Sequence, residues 1–90
     1  MPSYTLEATL PVSFDEALTR LRAAAAAQGF GVLYELDFSG IIAAKTGSTL
    51  PGGRVTSLGL CDPRLAREAL ILDPALAALL PCGAFVAETP

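Results

Sequence analysis

The chain contains no histidine. This removes the side chain that most often acts as general base near neutral pH, and the commonest nitrogen ligand of a metal. No Ser/His or Cys/His arrangement and no nucleophile elbow stands in its place, so the expectation is a protein that is not an enzyme, with no catalytic residues. Basic residues are also scarce, six against nine acids for a net charge of -3, and they are spread singly. Such a chain has no cationic stripe to neutralise phosphates or hold an anionic bilayer, which argues against nucleic acid and membranes as partners. No uninterrupted apolar run approaches the ~18 residues of a spanning helix. The opening MPSYTLEATLP lacks a charged n-region and an apolar h-region, so a cytoplasmic location is expected. The two cysteines have twenty residues between them, far from the CxxC spacing of redox motifs and tetrahedral zinc sites. Reduced thiols, no metal site and no cofactor are the expectation.

What is abundant is apolar residues. They make up 52% of ninety residues, with a mean hydropathy of +0.52. A chain of this length forms one domain, taken as residues 1–90, and leaves a large share of its surface wet. Some of that apolar surface is therefore expected to meet a partner.

SYTLEATL alternates, with Tyr4, Leu6, Ala8 and Leu10 on one side and Thr5, Glu7 and Thr9 on the other, the period of a half-buried strand. Pro11 ends it, and SFDE offers a capping box in which Ser13 accepts from the Glu16 amide while the Glu16 carboxylate reaches back. The helix that starts there puts Phe14, Leu18, Leu21 and Ala25 on one face, pairs Glu16 with Arg20, and stops at Gly29. FGVLYELD, residues 30–37, reads as a second strand with Phe30, Val32, Tyr34 and Leu36 on one face and Leu33 on the other. SGIIAAKTG fits a short helix capped by Ser39 and ended by Gly47, and its apolar run equally permits a strand. RVTSLGLC is a third strand. Asp62-Pro63 and Asp73-Pro74 each start a helix, because the carboxylate takes a free amide and proline at the first helical position forfeits no hydrogen bond. GAFVAET is the last strand. The expected fold is α+β, a two-layer sandwich with helices on one face of a mixed four-stranded sheet.

Three stretches carry candidate chemistry. Cys61 sits just before a helix N-terminus, whose partial positive charge favours a thiolate if the sulfur points that way; the plainer reading is that Cys61 and Cys82 are small apolar packing residues near strand ends. KTGSTLPGGR has the glycines, hydroxyls and cations of a phosphate cradle, but it does not match the GxxxxGK[ST] pattern and reads more simply as a turn connection. Glu35 and Asp37 lie on one face at a strand end, as paired carboxylates or, more plainly, as two solvated acids. Cys61, Asp62 and Cys82 remain as the candidate ligand or thiol site.

The segments GFGVLYELD, LGLCDPRLAREAL and LLPCGAFV together resemble DUF302, the TT1751-like family of small bacterial and archaeal domains. The most specific part is Cys61-Asp62-Pro63 followed, after a helix, by Leu80-Pro81-Cys82. The resemblance covers nearly the whole chain and implies a compact α+β domain, commonly homodimeric, with no established activity. Carried onto this chain, the marked positions are Gly29, Phe30, Cys61 to Pro63, Pro81 and Cys82. The family more often has asparagine where this chain has Asp62.

Taken together, these readings favour a non-enzymatic homodimeric module that binds a small-molecule ligand or regulates, using a crevice beside the Cys61 to Pro63 turn. The alternatives are thiol-dependent redox, sulfur or soft-metal handling by Cys61 or Cys82, and a purely structural assembly unit. The helices are expected to cover the sheet face bearing Tyr4, Leu6, Val32 and Val86. The reverse face, bearing Leu33, Phe85 and some of Leu58 and Leu60, would then form the dimer. Strands three and four are expected to run the same way, which would hold Cys61 and Cys82 apart and prevent a disulfide.

Overall fold

In the computed structural model, which describes residues 4–89, the ends of the elements follow from local capping chemistry. The Ser13 side chain accepts from the Glu16 amide at 3.1 Å and opens α1, Phe14–Ala27. The Glu16 carboxylate turns forward to Arg20 rather than back to the cap. Gly29 takes φ +85°, a left-handed conformation that glycine adopts without strain, and turns the chain into β1, Gly31–Asp37. The second helix, α2, spans Phe38–Thr46 and closes at Gly47 with φ +74°. Its cap is Asp37, which accepts from the Gly40 amide, and not Ser39. The Ser39 hydroxyl is used elsewhere: it accepts from the amide of Val55 at 2.6 Å and so ties α2 to the start of β2, Val55–Cys61. Both Asp-Pro starts hold, for α3 at Pro63–Leu72 and for a 3-10 helix at Pro74–Leu79, before β3, Cys82–Ala87.

The fold is α+β, and its sheet differs from the expected mixed four-stranded one. It has three strands in the order β1-β2-β3, all antiparallel. Residues 4–10, the expected first strand, carry no ladder. Alternation of apolar and polar side chains selects an extended conformation, which is a local property; it does not select a partner strand, which is a tertiary one.

Register assigns the faces. Leu58 stands opposite Glu35 and Ala84, and Thr56 opposite Asp37 and Val86, so these side chains share the face that α1 covers. A bulge at Leu33, between the pairs Val32–Leu60 and Tyr34–Gly59, inserts one residue into β1. It reverses the alternation, so Val32 stays under α1 while Tyr34 and Leu36 turn to the open face with Phe85. Two expectations are corrected here. Leu58 and Leu60 lie under the helix, not on the reverse face, and Tyr34 and Leu36 do not share a face with Val32.

The core is small. Among the described residues Phe14, Leu18 and Leu58 form the buried cluster, with Leu21, Leu60, Ala84 and Val86 packed around it, and Leu58 is 0% exposed. Two charged groups pin α1 to the sheet beside it. The Arg22 guanidinium donates twice to the Glu35 carboxylate, at 2.6 and 2.7 Å. Arg54, just ahead of β2, lies 4.1 Å above the Phe14 ring and 3.2 Å from Asp15. The radius of gyration is 15.0 Å, against about 12 Å for a close-packed chain of this length. α3 and the 3-10 helix pack on each other and bury no residue fully, and the segment ahead of α1 is exposed as well.

Leu58→Ala is therefore expected to cost about 3 kcal/mol, a large part of the stability of so small a core, while Leu33→Ala at the bulge stays within about 0.5 kcal/mol. Urea denaturation of the two variants compares them directly. The hydrogen bonds from Arg22 hold the Glu35 carboxyl below its ordinary range. A lowered folded-state value gives stability that is complete above the unfolded value of about 4.3 and lost as pH falls through the lower folded one. Glu35→Gln is expected to flatten that acid limb, seen as a smaller drop in urea midpoint between about pH 6 and about pH 3.

Candidate functional site

The chain brings three distant stretches to one corner of the sheet. α1 ends at Gly29, which lies against the Asp62 and Arg64 side chains, and Phe30 follows. β2 arrives there with Cys61 and Asp62. The 3-10 helix returns the chain through Leu80 and Pro81, so that Cys82 pairs with Leu60 in the β2–β3 register. The expected parallel course of these two strands is thus replaced by an antiparallel one, and both cysteines stand at the same sheet end. Both thiols are free. What separates them is strand alternation: Cys82 shares a face with its partner Leu60, and Cys61, the next residue, points to the other face, so their Cβ vectors diverge.

Between these parts lies a cleft of about 190 Å³, lined by Phe30, Leu60, Leu65, Ala66, Ala69 and Leu80 together with Cys61, Asp62 and Cys82. All three candidate residues therefore meet at one site. The lining residues missed by motif reasoning are those of α3. Their signal was present in the sequence, because Leu65 and Ala69 fall four apart and share one helix face.

Asp62 is the one acidic side chain among the described residues that is mostly shielded, with 7% exposure. Its carboxylate accepts from the amides of Arg64 at 3.0 Å and Leu65 at 3.5 Å, and the Arg64 guanidinium stands 3.6 Å away. Burial by itself would push this carboxyl up; the two amides and the guanidinium outweigh it and hold it below its ordinary range. Asp62 is thus a charged cap whose acceptor capacity is spent largely on its own helix. Among the described residues no three ligating side chains come together as a metal site would require.

The other candidates disperse. Glu35 is held by Arg22 and Asp37 by the start of α2, so they do not act as a pair. The KTGSTLPGGR stretch links α2 to β2. The Arg54 amide that would greet a phosphate already donates to the Glu88 carboxylate at 2.6 Å.

Asp62→Asn keeps the cap, since asparagine caps as well as aspartate, whereas Asp62→Ala removes it. The expected result is a melting temperature near that of the parent for Asn and one lower by about 5 °C for Ala, measured by circular dichroism at neutral pH.

No curated protein matches the chain. The chain is similar to a crystal structure of an uncharacterized conserved DUF302 protein from Bacillus stearothermophilus, with 25% identity and a TM-score of 0.78 over 84% of this chain. It spans 58% of that protein's length. The family model of DUF302, a domain of unknown function, matches residues 6–90, nearly the whole sequence and all three stretches that form the cleft, and the chain belongs to that family.

Proposed function

We propose that this domain is a non-enzymatic, homodimeric binding or regulatory module of the cytoplasm, and that its ligand site is the cleft beside the Cys61 to Pro63 turn. The observation that carries the ligand reading is the convergence just described: an apolar cleft with one charged edge, built from three stretches far apart in sequence. A small apolar ligand suits such a lining, because the hydrocarbon walls supply burial. The small volume favours a compact molecule.

The dimer rests on a different observation. Tyr34, Leu36 and Phe85 are exposed on the face opposite α1, and exposed apolar side chains on one sheet face favour an interface, most often a two-fold one. Phe85 lies in register with Ser57, which in turn pairs with Leu36. Leu36 and Phe85 therefore flank Ser57 from the two edge strands.

A second reading has its own support, since Cys61 and Cys82 both line the one cleft, from opposite faces of the sheet end. Handling of a soft metal or of sulfur by Cys61 or Cys82 uses that proximity, with further ligands coming from a dimer mate.

Native mass spectrometry of protein purified without added metal separates these readings. The first expects a dimer carrying a small organic mass that disappears in Ala69→Phe, which fills the cleft from α3. A metal mass that disappears in Cys61→Ser would favour the second, as would alkylation of either thiol with a midpoint below about pH 8. Phe85→Asp is expected to give a folded monomer in sedimentation equilibrium at micromolar concentration; a folded dimer would place the subunit contact elsewhere.

A further inference from the structure

Both bonds that make Asp62 a helix cap fall on one of its two carboxylate oxygens. Oδ1 accepts from the Arg64 amide at 3.0 Å and from the Leu65 amide at 3.5 Å, and the Arg64 guanidinium stands 3.6 Å from the same atom. Oδ2 accepts no hydrogen bond from the described residues. A side chain at position 29 would begin 3.6 Å from Oδ2, so Gly29, which precedes the Phe30 wall of the cleft, leaves that oxygen uncovered on its side.

An oxygen in this state is out of balance with its surroundings. The Asp62 side chain is only 6% exposed. Burial raises its carboxyl, but the cap amides and the guanidinium outweigh burial, so the group is charged at neutral pH. A charged carboxylate can only accept, and a shielded one with an unused oxygen gains from any donor that reaches it. Arg64 does not supply that donor, because its side chain is 84% exposed and its contact goes to Oδ1.

The rest of the lining gives a polar group nowhere else to go. Phe30, Leu60, Leu65, Ala66, Ala69 and Leu80 offer hydrocarbon, and the two thiols are weak hydrogen-bonding groups. Asp62 is the one charged side chain of the cleft wall.

We infer that the ligand is a compact hydrocarbon bearing one hydrogen-bond donor, an alcohol or an amine, and that this donor bonds to Oδ2 of Asp62; the inference rests on the cleft being the ligand site. The sense of the selection follows from the chemistry of the acceptor. A carboxylate or an ether brings lone pairs to lone pairs and is disfavoured, while a hydroxyl or an ammonium fills the vacant acceptor position. Asp62 thus has two roles on two atoms: Oδ1 starts α3, and Oδ2 sets which head group the cleft takes.

Chemical-shift titration of the isotope-labelled full chain at neutral pH tests it, with probes that share one branched hydrocarbon body: isoamyl alcohol, isoamylamine, isoamyl methyl ether and isovalerate. The alcohol and the amine are expected to shift the amides of Phe30, Cys61 and Ala69, and to bind about tenfold or more tightly than the ether, the advantage of a hydrogen bond to a charged acceptor. Isovalerate should be the weakest. Asp62→Asn keeps the amide bonds of the cap and puts an NH2 donor in the place of Oδ2. In that variant the ether and isovalerate are expected to overtake the amine, with a melting temperature near the parent's to show that the fold is intact. Ala69→Phe, which fills the cleft, should abolish binding of every probe. An alcohol that binds no better than the ether, or an order of affinities that Asp62→Asn leaves unchanged, would overturn the donor assignment and leave the cleft reading standing. If no probe shifts those amides in the parent, the cleft reading itself fails and the assignment goes with it. Shifts that survive Ala69→Phe would put the probes outside the cleft and overturn both.

Discussion

Everything in this domain depends on one packing contact, the seating of Phe14 and Leu18 of α1 on Leu58 at the middle of the central strand. Leu58 can be fully buried because it sits on β2, flanked by a strand on each side and covered by a helix. No other large side chain among the described residues is buried to that degree. The ion pair of Arg22 with Glu35 and the stacking of Arg54 on Phe14 fix the helix along and across the sheet, and so set the register of that contact. Being exposed, they direct the packing more than they strengthen it.

One anchored helix cannot cover a three-stranded sheet and a helical excursion. The consequences are apolar surfaces of different kinds. The open sheet face runs from Leu36 to Phe85. The arm made of α3 and the 3-10 helix leaves Leu65, Ile71, Leu72 and Leu79 largely in solvent. A chain with half of its residues apolar and a radius of gyration well above that of a close-packed domain has surface left to give to a second molecule.

The sequence was most legible where chemistry is local. Ser13, Asp62 and Asp73 cap the elements that follow them, and Gly29 and Gly47 end the helices before them, because each effect is settled within four residues. It was least legible where pairing decides. The alternation of residues 4–10 led to a strand, and these residues form none. The extra residue at Leu33 inverted the faces of Tyr34 and Leu36, and a bulge has no reliable mark in one sequence. Ser39 was read as a helix cap because the type fits, yet Asp37 stands two residues earlier and took that place, leaving Ser39 free to hold β2. For the site, the resemblance had gathered Gly29-Phe30, Cys61 to Pro63 and Pro81-Cys82 as separate marks; only the antiparallel course of β2 and β3 joins them into one corner. The two cysteines, expected at opposite ends, stand at the same end with their side chains on opposite faces.

The central claim is that the exposed sheet face belongs to a contact between two copies of this chain. Small-angle X-ray scattering over a concentration series measures it most directly, because forward intensity gives mass and the radius of gyration gives shape in one experiment. The account predicts a concentration-independent mass of two chains, and a radius of gyration clearly larger than the 15.0 Å of one. A mass of one chain with a radius near that value, held throughout the series, would contradict it.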